Sequence, residues 1–457
     1  MPQISYINYT DIQKAGRYDA EYFKPEYLEN DKIISKNNWD RCVNLVDRDI
    51  TKGETPLWQG FDYIKDGIPF IRSQNFKNFG INRSDLVFVS SVYNRLKKRS
   101  IIRPKDTLLA IVGATIGKIG FYDLNEEGNC NQAVAIISPN KEISKEYFNI
   151  LFRTKNIQLQ ISRSQGGNAR DNFDLFEVRN LKIPLLPNLF QLEIEEIVKL
   201  AHQKQNQSKE LYQEAEKILL TELDLISYKV KHKLTFSTTK KEIEQASRYD
   251  SEYFQPKYEE IIKKIESYKG GFDWLGNMVD WKKGIEVGAE AYCDTGKDFV
   301  RVSDFSVFGL SNANKKISNK VFEDLKKNYQ PKKDEILFTK DGTIGISYLL
   351  KDDSESILSG AFLRLAMKED YKNFEKECLT LILNSIICKM QIEKLSGGAL
   401  IAHLKPSDLE TFRIPLINQS IQVQIAAKIR QSHKLRKESK ELLETAKKMV
   451  EDEIEKN

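Results

Sequence analysis

Two long stretches of the chain carry neither Gly nor Pro, Gln191 to Leu223 and Gln422 to Ile454, and both show a helical rhythm of apolar positions. In the second, apolar or small residues recur at Ile425, Ile429, Ser432, Leu435, Ser439, Leu442, Ala446 and Met449. Steps of three and four place them on one helix face. The first gives Ile194, Ile197, Ala201, Ser208, Leu211, Ala215 and Ile218. At the rise of an α-helix each segment would be roughly 50 Å long. Ala and Ser in the seams predict two helices that pack closely on each other, antiparallel, as a spacer. The regions before them, 39–190 and 274–421, read differently. Short β-branched runs such as "TLLAIVG", "QAVAIIS" and "AFLRLAM" are bounded by turn residues and predict strands. Helices are expected at 88–99, 144–162, 321–329 and 374–396.

The two halves repeat each other. "RYDAEYFKPEY" (Arg17 to Tyr27) returns as "RYDSEYFQPKY" (Arg248 to Tyr258). Lys52–Gly53 is matched by Lys283–Gly284, Arg72 by Arg301, Phe76 by Phe305, and "PKDTLLAIVGATIG" by "KKDEILFTKDGTIG". "LKIPLLPN" meets "FRIPLINQ", and the long segments share His202/His433, Ser208/Ser439 and Ala215/Ala446. The predicted architecture is therefore two similar α+β globules joined by two long helices in an antiparallel coiled coil, a pseudo-twofold object. Its parts are a first globule at 1–190, a central helix at 191–225, a second globule at 226–421 with a short linker at its start, and a distal helix at 422–457.

Composition narrows the function. Hydrophobic residues at 40% and charged residues at 30% describe a globular chain, and a net charge of +5 is small for 457 residues. A polyanion surface must come from local clusters. Two exist: Arg95, Lys97, Lys98, Arg99, Arg103 and Lys105; and Lys326, Lys327, Lys332 and Lys333. Five widely spaced cysteines without a CxxC predict a reducing compartment, and the scattered histidines argue against zinc. The start lacks a leader-like pattern and no apolar run is long enough to span a bilayer, so a cytoplasmic protein without membrane attachment is expected.

Signatures of catalysis fail in turn. "VGATIGKIG" (Val112 to Gly120) has three residues between Gly113 and Gly117 where a phosphate-binding loop needs four, and the second copy has Ile346 in place of the lysine. No adenine-clamping N/D-P-P-Y/F tetrapeptide occurs. "ESK" at Glu438 to Lys440 lies within a helix without the acidic partner that a nuclease would need, and His403 has no nucleophile context.

The ordered phrases "RYDAEYFKPEY", "KGETP" (Lys52 to Pro56), "GIPFIRSQNF", "DTLLAIVGATIGKIG", "NCNQAVAII" (Asn129 to Ile137), "IPLLPNLFQLEI" and "IPLINQSIQVQI" together resemble the specificity (S) subunits of type I restriction-modification systems. The resemblance covers nearly the whole chain. It implies two target-recognition domains, each binding half of a split sequence in double-stranded DNA, with the helices fixing the gap and docking two modification (methyltransferase) subunits. It further implies that S-adenosylmethionine acts on those partners, that ATP and Mg act on restriction subunits of the larger complex, and that this chain holds no cofactor or metal and is not itself an enzyme. The second copy departs from the pattern, with "KGIEVGAEAY" for the "GETP" turn and "SGAFLRL" for the "NQ" strand, and the first has "LLPNLFQ" for the usual double proline. Unlike half-sites follow from unlike globules. A type IIB-like recognition subunit and a protein-binding scaffold remain as alternatives.

Candidate DNA contacts are the polar turn residues beside the shared phrases, of the types that meet phosphates and base edges. In the first copy these are Lys52, Thr55, Arg72, Ser73, Gln74, Lys118, Gln165, Asn168 and Arg170; in the second, Lys283, Arg301, Ser303, Lys340, Thr343, His403 and Lys405.

Overall fold

A computed structural model of the chain describes residues 4–76, 80–83, 85–165, 172–311, 313–396 and 403–456. It divides into two compact units: Met1–Lys204 with Glu438–Asn457, and Gln205–Lys437.

The first unit is built on a four-stranded antiparallel sheet in the order Thr51–Lys52, Val134–Ile137, Thr107–Ala110, Ile119–Phe121. The central strands are Val-, Ile- and Leu-rich and buried along their length, as expected of strands covered on both faces. A three-stranded sheet lies beside it, with Ile68–Ile71 between Val87–Val89 and Asn129–Cys130. The second unit repeats the four-stranded sheet as Val279–Lys283, Phe362–Met367, Ile336–Thr339, Ser347–Leu349. Another of its sheets places Lys297–Val300 parallel to Ser356–Leu358, matching the parallel pairing of Ile68–Ile71 with Asn129–Cys130. Even a sparsely populated backbone state recurs. Lys105 (φ 68) and Asp334 (φ 70) are both left-handed at the turn before the central strand.

The helices expected at 144–162 and 374–396 each break in two. They form Lys145–Arg153 with Lys155–Gln165, and Lys376–Asn384 with Ile386–Ser396. The break falls on Thr154 and Ser385, whose hydroxyls donate to Leu151 O (2.6 Å) and Ile382 O (2.7 Å) while their own backbone turns extended. A hydroxyl that bonds back to its own turn offers the backbone an alternative to continuing the helix.

The long helices run Asn188–Glu222 and Gln419–Lys456. Within the first unit Ser439 Oγ donates to Ala201 O (2.7 Å) and Lys204 pairs with Glu438 at 2.6 Å. Within the second, Ser432 Oγ donates to Ser208 O (2.7 Å) and Lys428 pairs with Glu214 at 2.6 Å. In both units the two helices therefore run antiparallel. The fully buried line is Ile194, Val198, Ala201, Ser208, Ala215, Leu219 on one helix and Ile425, Ile429, Ser432, Ser439, Ala446, Val450 on the other. These positions follow a seven-residue repeat, and the small side chains let the backbones approach until a serine reaches the opposite carbonyl. Ile197, Ile218, Leu435, Leu442 and Met449, placed in the seam by their spacing, are only half-buried. The helices are also core elements: Ile194, Val198, Ala446, Val450 and Ile454 join the main core of the first unit, and Ala215, Leu219, Leu223, Ile425 and Ile429 that of the second.

Candidate nucleic-acid interface

The repeated Lys-Gly pairs sit at the outer edge of each four-stranded sheet. Lys52 and Lys283 each end the outer strand with an exposed side chain. The glycine that follows is required by packing. A Cβ on Gly53 would lie 1.7 Å from Cys130 O, and one on Gly284 2.1 Å from Ser359 O. Only glycine lets the chain leave the sheet edge there. Thr55, next along, donates its hydroxyl to Gln132 Oε1.

The repeated arginines open a second pair of turns. After Ile68–Ile71 the chain turns through Ser73–Asn75, and fully buried Asn75 organises it: its Oδ1 accepts from Arg72 N (2.8 Å) and its Nδ2 donates to Asp85 Oδ1 (2.7 Å). Gln74 Nε2 donates to Asp85 Oδ2 (3.0 Å), and Arg72 Nη2 to the Asp85 carbonyl (2.7 Å). In the second unit Asp304 takes the place of Asn75, accepting from Arg301 N (3.1 Å), Ser303 Oγ (3.2 Å) and Asn314 Nδ2 (3.2 Å). The amide–carboxylate pair is thus present in both units with its two members exchanged. Arg72 Nε and Arg301 Nε are each buried with no hydrogen-bond partner among the described residues.

The glycine turns form the third pair. Gly113 (φ 67) and Gly117 (φ 85) correspond to Gly342 (φ 68) and Gly345 (φ 86), with one residue fewer between them in the second unit. Gln158 Nε2 donates to Gly117 O (3.0 Å), so the turn is pinned from the helix Lys155–Gln165 and leaves Lys118 exposed. Gln165 ends that helix half-buried. Asn168 and Arg170, like the pairs Gly166–Gly167 and Gly397–Gly398, lie outside the described residues. In the second unit Asp341 accepts from both Lys340 Nζ and the His403 ring. Lys340 is buried, with its backbone bonded to Ala361 and Leu404, which withdraws its charge from solvent. Thr343, His403 and Lys405 stay exposed, and Lys405 N donates to Asp408 Oδ2 (3.2 Å).

The basic clusters sort by their partners. Lys97 pairs with Glu54 (2.6 Å), Lys105 with buried Glu146 (2.7 Å) and Arg103 with Asp47 (4.0 Å). Arg95, Lys98 and Arg99 are exposed and form no ion pair among the described residues. Thr51 Oγ1 donates to Arg99 O (2.6 Å), which sets these cations beside Lys52. Lys326 and Lys332 pair with Glu323 and Asp353, leaving Lys327 and Lys333 without a side-chain ion pair among the described residues. Sequence reasoning missed Asp85, Asp304 and Asn314; the one signal for them was that an Asn and an Asp trade places between the copies. Among the described residues no group of three His, Cys, Asp or Glu could hold a metal ion, and no helix is long and apolar enough to cross a membrane.

The chain thus presents the same three polar turns in two units with different residues on them. Well over half of the chain, residues 48–218 and 275–445, matches the model of the type I restriction modification DNA specificity domain, once in each half, and the chain belongs to that family. It is similar to the type I restriction enzyme EcoBI specificity subunit of Escherichia coli, with 32% identity over 163 residues, 35% of this chain and 34% of that one. The match spans about a third of that relative's length. Among solved structures it is similar to the Type-I restriction-modification system S subunit from M. genitalium (13% identity, 92% of this chain and 96% of that one, TM-score 0.39) and the HsdS subunit from Thermoanaerobacter tengcongensis (15% identity, 92% and 96%, TM-score 0.30).

Proposed function

We propose that this chain is the DNA-specificity subunit of a type I restriction-modification complex, acting in the cytoplasm, in which each recognition domain reads one half of a split, asymmetric target. Residues 1–190 and 226–421 are the reading modules; 191–225 and 422–457 set the gap and dock two modification subunits. Methyl transfer from S-adenosylmethionine and ATP- and Mg-dependent restriction belong to partner subunits, and this chain supplies recognition. The observation that carries this reading is the double match to one specificity domain, joined to turns that keep their backbone while changing their side chains. Five free cysteines agree with a reducing compartment.

The reading is tested by gel-shift competition of the full chain at physiological salt, split-site duplex against random duplex. Removing a base-reading arginine, Arg72→Ala or Arg301→Ala, is expected to cost about 1–3 kcal/mol and to relax one position only, whereas Lys118→Ala weakens all sequences alike. Equal affinity for split-site and random DNA overturns the proposal and favours a protein-binding scaffold.

A further inference from the structure

One face of the first unit has no counterpart in the second. In the helix Ser91–Leu96, Tyr93 and Asn94 point into the protein, while Val92, Arg95 and Leu96 share the opposite, exposed face. The turn Pro56–Gln59 is held against this helix: Tyr93 OH donates to Glu54 O (2.6 Å), and Lys97 Nζ reaches Glu54 Oε2 (2.6 Å) and Gln59 Oε1 (3.1 Å). That turn carries Leu57 and Trp58 outward. Trp58 is 73% exposed, Leu96 65%, Leu57 57% and Val92 48%. The corresponding helix of the second unit, Asn319–Tyr329, keeps Val321 and Leu325 in the equivalent places, but there they pack with Ile285, Val287 and Tyr292 against a core of Phe299, Ile317, Phe322 and Ile357. What the second unit covers with its own chain, the first leaves open.

The rim of the open face is cationic. Arg95 lies on the same helix face, Lys98 and Arg99 follow it, and the Thr51 hydroxyl ties Arg99 to the strand that ends in Lys52. An apolar tip flanked by exposed cations complements a polyanion with apolar faces between its charges, which describes stacked bases between phosphates. An indole so exposed can stack on a base of any identity, and an apolar wedge at a base step opens and kinks the duplex. We propose that Leu57 and Trp58 form a wedge that unstacks one base step of duplex DNA beside the half-site read by the first unit, with Arg95, Lys98 and Arg99 on the flanking phosphates. This rests on the DNA-specificity reading and adds to it an asymmetry: only one half of the target is deformed.

The test uses the full chain and a duplex bearing its split motif, with 2-aminopurine stepped through each half-site; its fluorescence rises where a base loses its stacking partner. One position, in one half-site, is expected to brighten with the unaltered chain. Trp58→Ala should return it to the level of free duplex and weaken binding about tenfold or more, while Trp58→Phe keeps most of the signal. Arg95→Ala should weaken binding without dimming that base, which separates the wedge from its phosphate contacts. Because Trp58 is exposed, the melting temperature of Trp58→Ala should match that of the unaltered chain. Undiminished brightening with Trp58→Ala overturns the wedge, as does intact DNA binding accompanied by loss of a protein partner. If the unaltered chain does not prefer the split duplex at all, brightening is absent throughout and the DNA reading fails with it.

Discussion

The turns at Arg72 and Arg301 are the same piece of backbone made by two different chemistries. In the first unit a buried amide, Asn75, gives a hydrogen bond to a carboxylate on the next strand connection, Asp85; in the second the carboxylate, Asp304, sits in the turn and the amide, Asn314, comes to it. The geometry survives because either order gives one donor and one acceptor. The surface does not survive, since the negative charge has moved from a half-exposed position to a buried one. Elsewhere the interior repeats faithfully: the helix breaks at Thr154 and Ser385, and the left-handed Lys105 and Asp334. The comparison teaches that duplication holds the scaffold and releases the surface of this turn.

The largest effect should come from the shared interior. Ile194 and Ile425 hold equivalent, fully buried places in the cores of the first and second units. Ile194→Ala and Ile425→Ala are each expected to cost about 2–4 kcal/mol in urea unfolding. Hydrogen exchange should show the first variant opening Thr107–Ala110 and the second Ile336–Thr339; equal loss at both strands from either change would break the comparison.

A smaller effect separates the units by pH. His433 lies against the rings of Tyr348 (5.1 Å) and Phe308 (6.2 Å), and burial, with Lys351 and Arg436 nearby, pushes its pKa down to about 4 against the opposing pull of Glu377. The unfolded chain takes up this proton near its ordinary pKa of about 6.5 and the folded chain does not. The histidine's contribution is therefore complete above that value and is lost as pH falls toward 4, by about 2 kcal/mol at pH 5. Urea midpoints at pH 7 and pH 5 check it, and His433→Gln should remove that part of the pH dependence.

The exchanged pair itself gives the sharpest and smallest test. Asn75→Asp alone sets two carboxylates together and should cost about 1–2 kcal/mol, moderated by the partial exposure of Asp85. Adding Asp85→Asn gives the first unit the polarity of the second and should restore most of that stability, a coupling read from the double-mutant cycle. If the double variant is no more stable than Asn75→Asp, the two turns are not interchangeable.

Much of this was legible in the sequence. The repeated phrases implied two α+β units, and the three-four spacing of Ile425 to Ala446 implied a close helix pair. The seam itself was read one residue off at Ile197, where the protein buries Val198, because a seven-residue repeat and a 3.6-residue turn drift apart along a long helix. The Thr154 and Ser385 breaks were invisible, since a single hydroxyl within a helical stretch reads as helix. Lys340 resembled an available cation because sequence does not show that the next residue, Asp341, sits where it binds both that lysine and distant His403. Asp85 and Asn314 stayed hidden for the same reason: their meaning lies in a partner ten residues away across a turn.

The central claim is that each unit reads its own half of one target. Sequencing methylated adenines in cells carrying the chain, with and without residues 226–421 replaced by the corresponding segment of a relative, tests it most directly. A single split motif is expected, of which the replacement alters one half and leaves the other intact; a motif changed in both halves, or one with no gap, would contradict the account.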